Sequence, residues 1–170
     1  MKNTLILAFL FTASFASAES TVTLTGVHNC CKGCTNGITK AAASVKDVTV
    51  TAEGRTVTIT AKSKANAQKA VEAIEAAGYF GTSDAPKEMR PATSNSFSKP
   101  VKKLTEATVT GAHLCCQKCA NAMIEAIKGV PGITENTVVS KAATFTVKGE
   151  FTETDLLAAM NKAGFTGTVK

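Results

Sequence analysis

Aromatic residues are scarce in this chain of 170 residues, which has no tryptophan, one tyrosine and eight phenylalanines. Proteins that bind nucleic acid present a dense basic face, and those that bind single strands add stacking aromatic side chains. The formal net charge is only +6, and it falls by one, to +5, when Lys2 is removed with the N-terminal segment. The weak charge and the lack of aromatics therefore argue against nucleic acid as a partner.

Long hydrophobic runs are also absent beyond the N-terminus. An apolar run over Leu5–Phe11 follows the positive charge of Lys2, and Ala16–Ala18 have the small residues of a cleavage site. A membrane-spanning helix needs about 20 apolar residues, which this run does not supply. We predict a cleaved signal peptide over 1–18, a mature chain without a membrane span, and secretion, most simply into a bacterial periplasm. The residue directly after the cleavage site is Glu19 and not a cysteine, which argues against a lipid anchor there.

No Ser/His/Asp or paired-carboxylate arrangement stands out, so the sequence does not indicate an enzyme acting on an organic substrate. The chain has only two histidines, His28 and His113, and each lies two residues before a pair of adjacent cysteines. All six cysteines belong to two segments, TGVHNCCKGCTNGITKA at 25–41 and TGAHLCCQKCANAMIEA at 110–126. Three cysteines in one loop cannot all pair with one another as disulfides. The thiols therefore point first to a metal site.

The two cysteine segments belong to an internal repeat. The second follows the first at an offset of 85 residues, and further along Gly78 aligns with Gly164 at an offset of 86. We predict two domains, over 19–83 and 105–170. The linker between them, 84–104, holds three of the four prolines and no apolar periodicity, so we expect the domains to reorient.

Within each repeat the hydrophobic period alternates between that of strands and that of helices. Val22 and Leu24 alternate with threonines as in a half-buried strand, whereas Ile38 begins the apolar stripe of an amphipathic helix. A second helix ends at Gly78, and a short strand around 80–82 closes the unit. Both repeats therefore have the order βαββαβ. This order predicts an α+β, ferredoxin-like fold with two helices on one face of a four-stranded sheet.

Each cysteine loop lies between the first strand and the first helix of its domain. Cys34 and Cys119 lie at or near helix N-termini, where free N–H groups and the helix dipole favour a thiolate. Cys31 and Cys116 lie one turn earlier, so each C-x-x-C pair can converge on one soft cation. The same placement suits a nucleophilic redox thiol, and spacing alone leaves both uses open.

The element order, the C-x-x-C motif after the first strand, and the stretches AAGY at 76–79 and KAGF at 162–165 resemble heavy-metal-associated domains. That family includes copper chaperones, N-terminal modules of copper-transporting ATPases and periplasmic mercury-binding proteins. The resemblance covers both repeats. It implies Cu(I) as the first candidate ion and Hg(II), Cd(II) or Zn(II) after it, one ion per domain, and a metal-donor or acceptor protein as a partner. It also implies two ligand pairs, Cys31 with Cys34 and Cys116 with Cys119.

This chain departs from the family motif M-x-C-x-x-C. Asn29 and Leu114 take the place of the methionine, and an extra cysteine precedes each motif. A third thiol would raise the coordination from linear to trigonal, and a histidine would complete a Cys₃His set like that of closed zinc sites. The candidate metal ligands are therefore Cys30, Cys31, Cys34, Cys115, Cys116, Cys119, His28 and His113.

Several alternatives stay open at this point. A periplasmic thiol-disulfide exchange enzyme could use the C-x-x-C pairs, with Cys30 and Cys115 as resolving thiols. The extra thiols Cys30 and Cys115 could bind an ion directly, bridge ions in a multi-metal cluster or pack under the loops, and the histidines could tune a thiolate without binding metal. The linker could let the two sites face each other and share metal, or let them serve separate partners. The protein could store metal rather than deliver it. We expect Tyr79, Phe80 and Phe165 to be core residues that flank the loops.

Overall fold

The computed structural model describes residues 19–86 and 103–170. The signal peptide predicted over 1–18 and most of the linker lie outside the described residues, and both stay predictions. The described helices and strands are, in chain order, β1 (Ser20–Thr25), α1 (Lys32–Ala42), β2 (Val48–Glu53), β3 (Thr56–Ala61), α2 (Lys64–Ala76), β4 (Thr82–Ser83), β5 (Lys103–Thr110), α3 (Gln117–Lys128), β6 (Ile133–Asn136), β7 (Thr144–Thr152), α4 (Glu153–Lys162) and β8 (Thr168–Val169).

Two four-stranded antiparallel sheets form the framework. The strand order is β2-β3-β1-β4 in the first and β6-β7-β5-β8 in the second, and two helices accompany each sheet. This is the predicted ferredoxin-like α+β fold, in tandem. Among the described residues, no helix has both the length and the apolar character that crossing a membrane requires.

The residues that are buried in β1 and α1 are those that the hydrophobic periods of the sequence predict. Val22 and Leu24 are buried in β1 while the threonines between and beside them are more exposed. Cys34, Ile38 and Ala42 are the buried residues of α1, one turn apart. The first helix of each domain therefore turns its third residue, a cysteine, towards the interior, because that residue shares the face that packs on the sheet.

Two boundaries differ from the prediction. The strand expected around 80–82 is displaced to Thr82–Ser83, because the residues just before it pair with the other domain. Asp84 continues alongside β1: its backbone N–H donates to the Thr23 carbonyl at 3.1 Å, and its Oδ1 accepts from the Thr23 N–H at 2.7 Å. At the other end of the predicted linker, β5 begins at Lys103.

The two domains contact each other through the turns that follow α2 and α4. Tyr79 and Phe165 form an antiparallel β-bridge across the boundary. Beside it, the carbonyl of Gly164 accepts hydrogen bonds from the backbone N–H groups of His28 at 3.2 Å and Phe80 at 3.0 Å. Backbone hydrogen bonds therefore connect the end of the second domain directly to the first cysteine loop.

Two glycines allow this close approach. Gly78 and Gly164 follow their helices with φ of +88° and +91°, in the left-handed region that glycine adopts without strain. A Cβ at Gly78 would overlap the backbone of Gly111, and a Cβ at Gly164 would overlap the backbone of His28. The Gly78 carbonyl also accepts from the Thr166 N–H at 3.1 Å. Each glycine therefore ends a helix and admits the other domain.

Candidate metal centre

The six cysteines of the chain meet between the two domains in one group, here called the thiol cluster. Cys31 and Cys116 are the N-cap residues of α1 and α3, so both helices begin at the cluster. Cys34 and Cys119, the third residues of these helices, are fully buried. The other members are half-buried, and all six are free thiols: Cys30, Cys31, Cys34, Cys115, Cys116 and Cys119.

Inside each domain the last cysteine of the loop contacts the two that precede it. The two vicinal cysteines of each loop both reach the buried thiol. The Sγ–Sγ distances are 3.9 Å for Cys30–Cys34, 3.8 Å for Cys31–Cys34, 3.6 Å for Cys115–Cys119 and 3.7 Å for Cys116–Cys119.

Contacts across the domain boundary are equally close. The buried thiols of Cys34 and Cys119 lie 3.7 Å apart at the centre of the cluster. Each of the remaining sulfur contacts has an equivalent contact in which the two domains exchange roles, so the cluster has approximate twofold symmetry. The remaining Sγ–Sγ distances between the domains are 3.9 Å for Cys30–Cys116, 3.7 Å for Cys30–Cys119, 3.8 Å for Cys31–Cys115 and 3.5 Å for Cys34–Cys115.

These distances can be compared with those of known thiol chemistry. The sulfurs of a disulfide are about 2.05 Å apart. With a metal–thiolate bond of about 2.3 Å, two thiolates lie about 4.6 Å apart around a linear ion, about 4.0 Å apart around a trigonal one and about 3.8 Å apart around a tetrahedral one. The observed range of 3.5–3.9 Å is far longer than a disulfide bond and shorter than the spacing around a linear ion, so it suits thiols that gather around one ion with three or four ligands.

The sulfur contacts close into three-thiol faces, and every face takes thiols from both domains. The sequence led us to expect one ion per domain, and that stays a prediction. Among the described residues, one group of possible ligands, Cys115/Cys116/Cys119, lies within a single loop, and the other groups join residues of both domains. The faces are Cys31/Cys34/Cys115, Cys30/Cys116/Cys119, Cys30/Cys34/Cys119 and Cys34/Cys115/Cys119.

The two N-cap thiols are the acidic members of the cluster. The backbone N–H of Cys119 stabilises the thiolate of Cys116 and lowers its pKa to about 6. The backbone N–H of Cys34 acts in the same way on Cys31, whose pKa is also lowered. Free N–H groups in the first turn of a helix favour negative charge. Cys31 and Cys116 are therefore the thiols best prepared to meet an incoming cation.

The more enclosed thiols behave in the opposite way. Burial raises the pKa of Cys30, Cys115 and Cys119, and the neighbouring thiols raise it further for Cys30 through like charge. A metal ion must displace these protons, and its positive charge then replaces them in compensating the buried thiolates. The cluster thus combines thiols that are easily ionised with thiols that ionise only when a cation is present.

The two histidines flank the cluster and stack on aromatic rings of the opposite domain. The ring centroids are 4.3 Å apart in both pairs, at 26° for His28 with Phe165 and at 29° for His113 with Tyr79. Burial lowers the pKa of both histidines, and the charge of Arg55 lowers that of His28 further. Both imidazoles are therefore neutral near pH 7, the form that binds metals.

The structure distinguishes the histidines by their distance from the thiols. His28 joins Cys30 and Cys119 in a group whose possible ligand atoms all lie within 4.8 Å of one another. His113 belongs to no such group among the described residues. The Nε2 atoms of both rings are buried without a hydrogen-bond partner in the described part of the chain. His28 is thus placed as a possible ligand and His113 as a neighbour of the cluster.

Tyr79 and Phe165 are fully buried, as the sequence predicts, but they lie at the domain boundary. Phe80 is only half-buried, so the prediction that it is a core residue was wrong. The Tyr79 hydroxyl donates to the carbonyl of Cys34 at 3.2 Å and so connects the domain boundary to the first turn of α1. This role was not predicted from the sequence. The signal that could have shown it is the glycine–aromatic pair at 78–79, which recurs at 164–165.

Comparisons with known proteins find a family model and solved structures to which this chain is similar. The family model described as heavy-metal-associated domain matches residues 108–166, and a search of curated proteins finds no match. Two similar solved structures are the N-terminal soluble domains of Bacillus subtilis CopA (19% identity, 91% of this chain, 95% of that chain, TM-score 0.32) and the water-soluble region of the P-type ATPase CopA from Bacillus subtilis (19%, 91%, 93%, 0.31).

The fold assignment itself rests on the strand order of the chain. The matched residues contain the second cysteine loop, and the first domain repeats both the fold and the cysteine spacing. Heavy-metal-associated domains are metal-binding modules without a catalytic role of their own. The chain is therefore heavy-metal-associated-like, with two ferredoxin-like domains whose cysteines are grouped as potential ligands of a soft metal ion.

Proposed function

We propose that this protein is exported and binds Cu(I) through the thiol cluster, either to deliver the ion or to store it. The observation that carries the proposal is the grouping of six free thiols at 3.5–3.9 Å in three-thiol faces. Thiolates are soft ligands that select Cu(I). Three thiols suit Cu(I) better than Zn(II), which takes four ligands in structural sites.

Uptake would proceed by ligand exchange. Cys31 and Cys116, whose pKa values are lowered, accept the ion from a donor as thiolates. The ion then moves inwards to Cys34 or Cys119, forming a new bond to sulfur before an old one breaks. Each thiol that becomes a ligand releases one proton. Delivery to an acceptor protein reverses these steps, and no electron is transferred.

Metal competition tests this proposal directly. The reduced mature protein is titrated anaerobically with Cu(I) and with Zn(II) against chromophoric chelators. We expect Cu(I) to be held more tightly than Zn(II), and the double variant Cys34→Ser/Cys119→Ser to lose most of the affinity. Ser44→Ala, a control beyond the other end of α1, should bind as the wild type does. Preference for Zn(II), or full Cu(I) affinity in the double variant, would contradict the proposal.

Thiol-disulfide exchange is the second candidate, and the pKa of about 6 at Cys116 favours it. A reactive thiol at a helix N-terminus is the usual nucleophile of disulfide oxidoreductases. An insulin-reduction assay separates the two functions. Turnover that exceeds the uncatalysed rate and disappears in Cys116→Ser would establish the exchange enzyme, whereas our proposal expects the uncatalysed rate only.

A further inference from the structure

Every three-thiol face of the cluster takes sulfurs from both domains, and within one loop Cys115, Cys116 and Cys119 also lie within 4.8 Å of one another. The closest pair of sulfurs, Cys34 and Cys115 at 3.5 Å, spans the boundary. We infer that the cluster is a single polynuclear site that holds up to four Cu(I) ions, one for each three-thiol face. This inference rests on the proposed function, and it deepens that function by replacing two separate sites with one.

Sharing of sulfurs between neighbouring faces makes such a cluster possible. Cys34 and Cys119 each belong to three of the faces, and Cys30 and Cys115 each belong to two. A thiolate that belongs to several faces bridges the ions that occupy them. With fewer thiols than bonds to be made, only bridging lets every ion have three sulfur ligands. The central position of the two buried cysteines is that of bridging ligands.

Charge favours a high number of ions. Six thiolates carry a charge of −6, which four Cu(I) ions reduce to −2 and two ions reduce only to −4. The N-termini of α1 and α3, which both meet the cluster, contribute about half a positive charge each. Lys32 and Lys118 lie in the first turns of these two helices and are exposed, so their charges are screened by water. Because these local charges are small, the more fully loaded cluster is the better compensated one.

The extra cysteines, Cys30 and Cys115, complete the three-thiol faces in this arrangement. Every three-thiol face contains either Cys30 or Cys115. Each of the two reaches across the boundary: Cys30, for example, contacts both Cys116 and Cys119. These extra thiols therefore convert two C-x-x-C pairs into a closed set of faces. Cys31 and Cys116, in contrast, each belong to a single face.

This difference gives a matched pair of variants with equal numbers of thiols. Cys30→Ser/Cys115→Ser removes every three-thiol face and leaves both C-x-x-C pairs. Cys31→Ser/Cys116→Ser breaks both C-x-x-C pairs and leaves two faces that share the edge between Cys34 and Cys119. If the protein has two independent C-x-x-C sites, the second variant should lose more bound Cu(I). If it has one shared cluster, the first variant should lose more.

The full mature protein and both variants are loaded anaerobically with Cu(I), counted by native mass spectrometry and studied by X-ray absorption. We expect four ions in the wild type, with three sulfur neighbours each and Cu–Cu scattering. Cys30→Ser/Cys115→Ser should hold at most two ions, two-coordinate and without Cu–Cu scattering. Cys31→Ser/Cys116→Ser should keep three-coordinate ions and Cu–Cu scattering. Circular dichroism of the metal-free variants verifies that they fold.

The wild type decides the matter even if a variant misfolds. Two ions without Cu–Cu scattering would overturn the shared cluster and leave the proposed function standing. No tightly bound Cu(I) at all would overturn both. Cu–Cu scattering that survives in a folded Cys30→Ser/Cys115→Ser protein but not in a folded Cys31→Ser/Cys116→Ser protein would also overturn the inference, because it would assign the cluster to the wrong thiols.

Discussion

Substitution of Gly164 by alanine tests whether the glycine turns hold the thiol cluster together. Gly164 has φ of +91°, and Gly111, in the same domain, has φ of +81°. Alanine in this backbone region costs about 1 kcal/mol at either position. The two positions differ in their surroundings: a Cβ at Gly111 meets nothing within 4 Å, whereas one at Gly164 would overlap the backbone of Gly26 and His28. Gly111→Ala is therefore the matched control.

The magnitude follows from the hydrogen bonds that the overlap would break. The Gly164 carbonyl accepts from His28 at 3.2 Å and from Phe80 at 3.0 Å, both in the other domain. Each hydrogen bond contributes about 1 kcal/mol to the docked state. Loss of about 2 kcal/mol reduces the equilibrium constant for docking about 30-fold. We expect Gly111→Ala to lower only the free energy of unfolding, and Gly164→Ala to separate the domains as well.

Small-angle scattering of the metal-free proteins measures this separation, and Cu(I) loading measures its effect on the site. Gly164→Ala should have a larger radius of gyration and should bind fewer ions than the wild type, although it retains all six thiols. Gly111→Ala should match the wild type in both measurements. Equal radii and equal loading for the two variants would refute the assignment of Gly164 to the domain interface.

Two further predictions concern particular contacts, and a third concerns the N-terminal segment. Tyr79→Phe removes the hydrogen bond to the Cys34 carbonyl and should lower the free energy of unfolding in urea by about 1 kcal/mol; an unchanged midpoint would contradict it. His28→Phe should weaken Cu(I) binding in chelator competition more than His113→Phe does, because only His28 is grouped with thiols; equal effects would exclude His28 as a ligand. Expressed with its N-terminal segment in a bacterium, the protein should appear in the periplasmic fraction beginning at Glu19 by N-terminal sequencing, whereas an uncleaved cytoplasmic product would contradict export.

The helices and strands of this protein are best predicted where short-range patterns of residues determine the structure. The alternation around Val22 and Leu24 and the helical stripe containing Ile38 are short-range patterns, and the structure confirms both. The displaced strand at Thr82–Ser83 shows where such patterns end. The Phe80 N–H, just before it, donates to the Gly164 carbonyl of the second domain, and nothing in the local sequence reports a partner that is 84 residues away.

The two βαββαβ domains, their cysteine loops and the placement of each loop at the start of a helix are all predictable from the amino-acid sequence. These features depend on hydrophobic period, helix caps and glycine positions, all of which act over a few residues. That the six thiols form one cluster, and that His28 lies closer to it than His113 does, is seen only in the tertiary structure. Those facts depend on how the two domains dock, which is a non-local event. Because Gly78 and Gly164 let backbones approach each other, two C-x-x-C loops become one site.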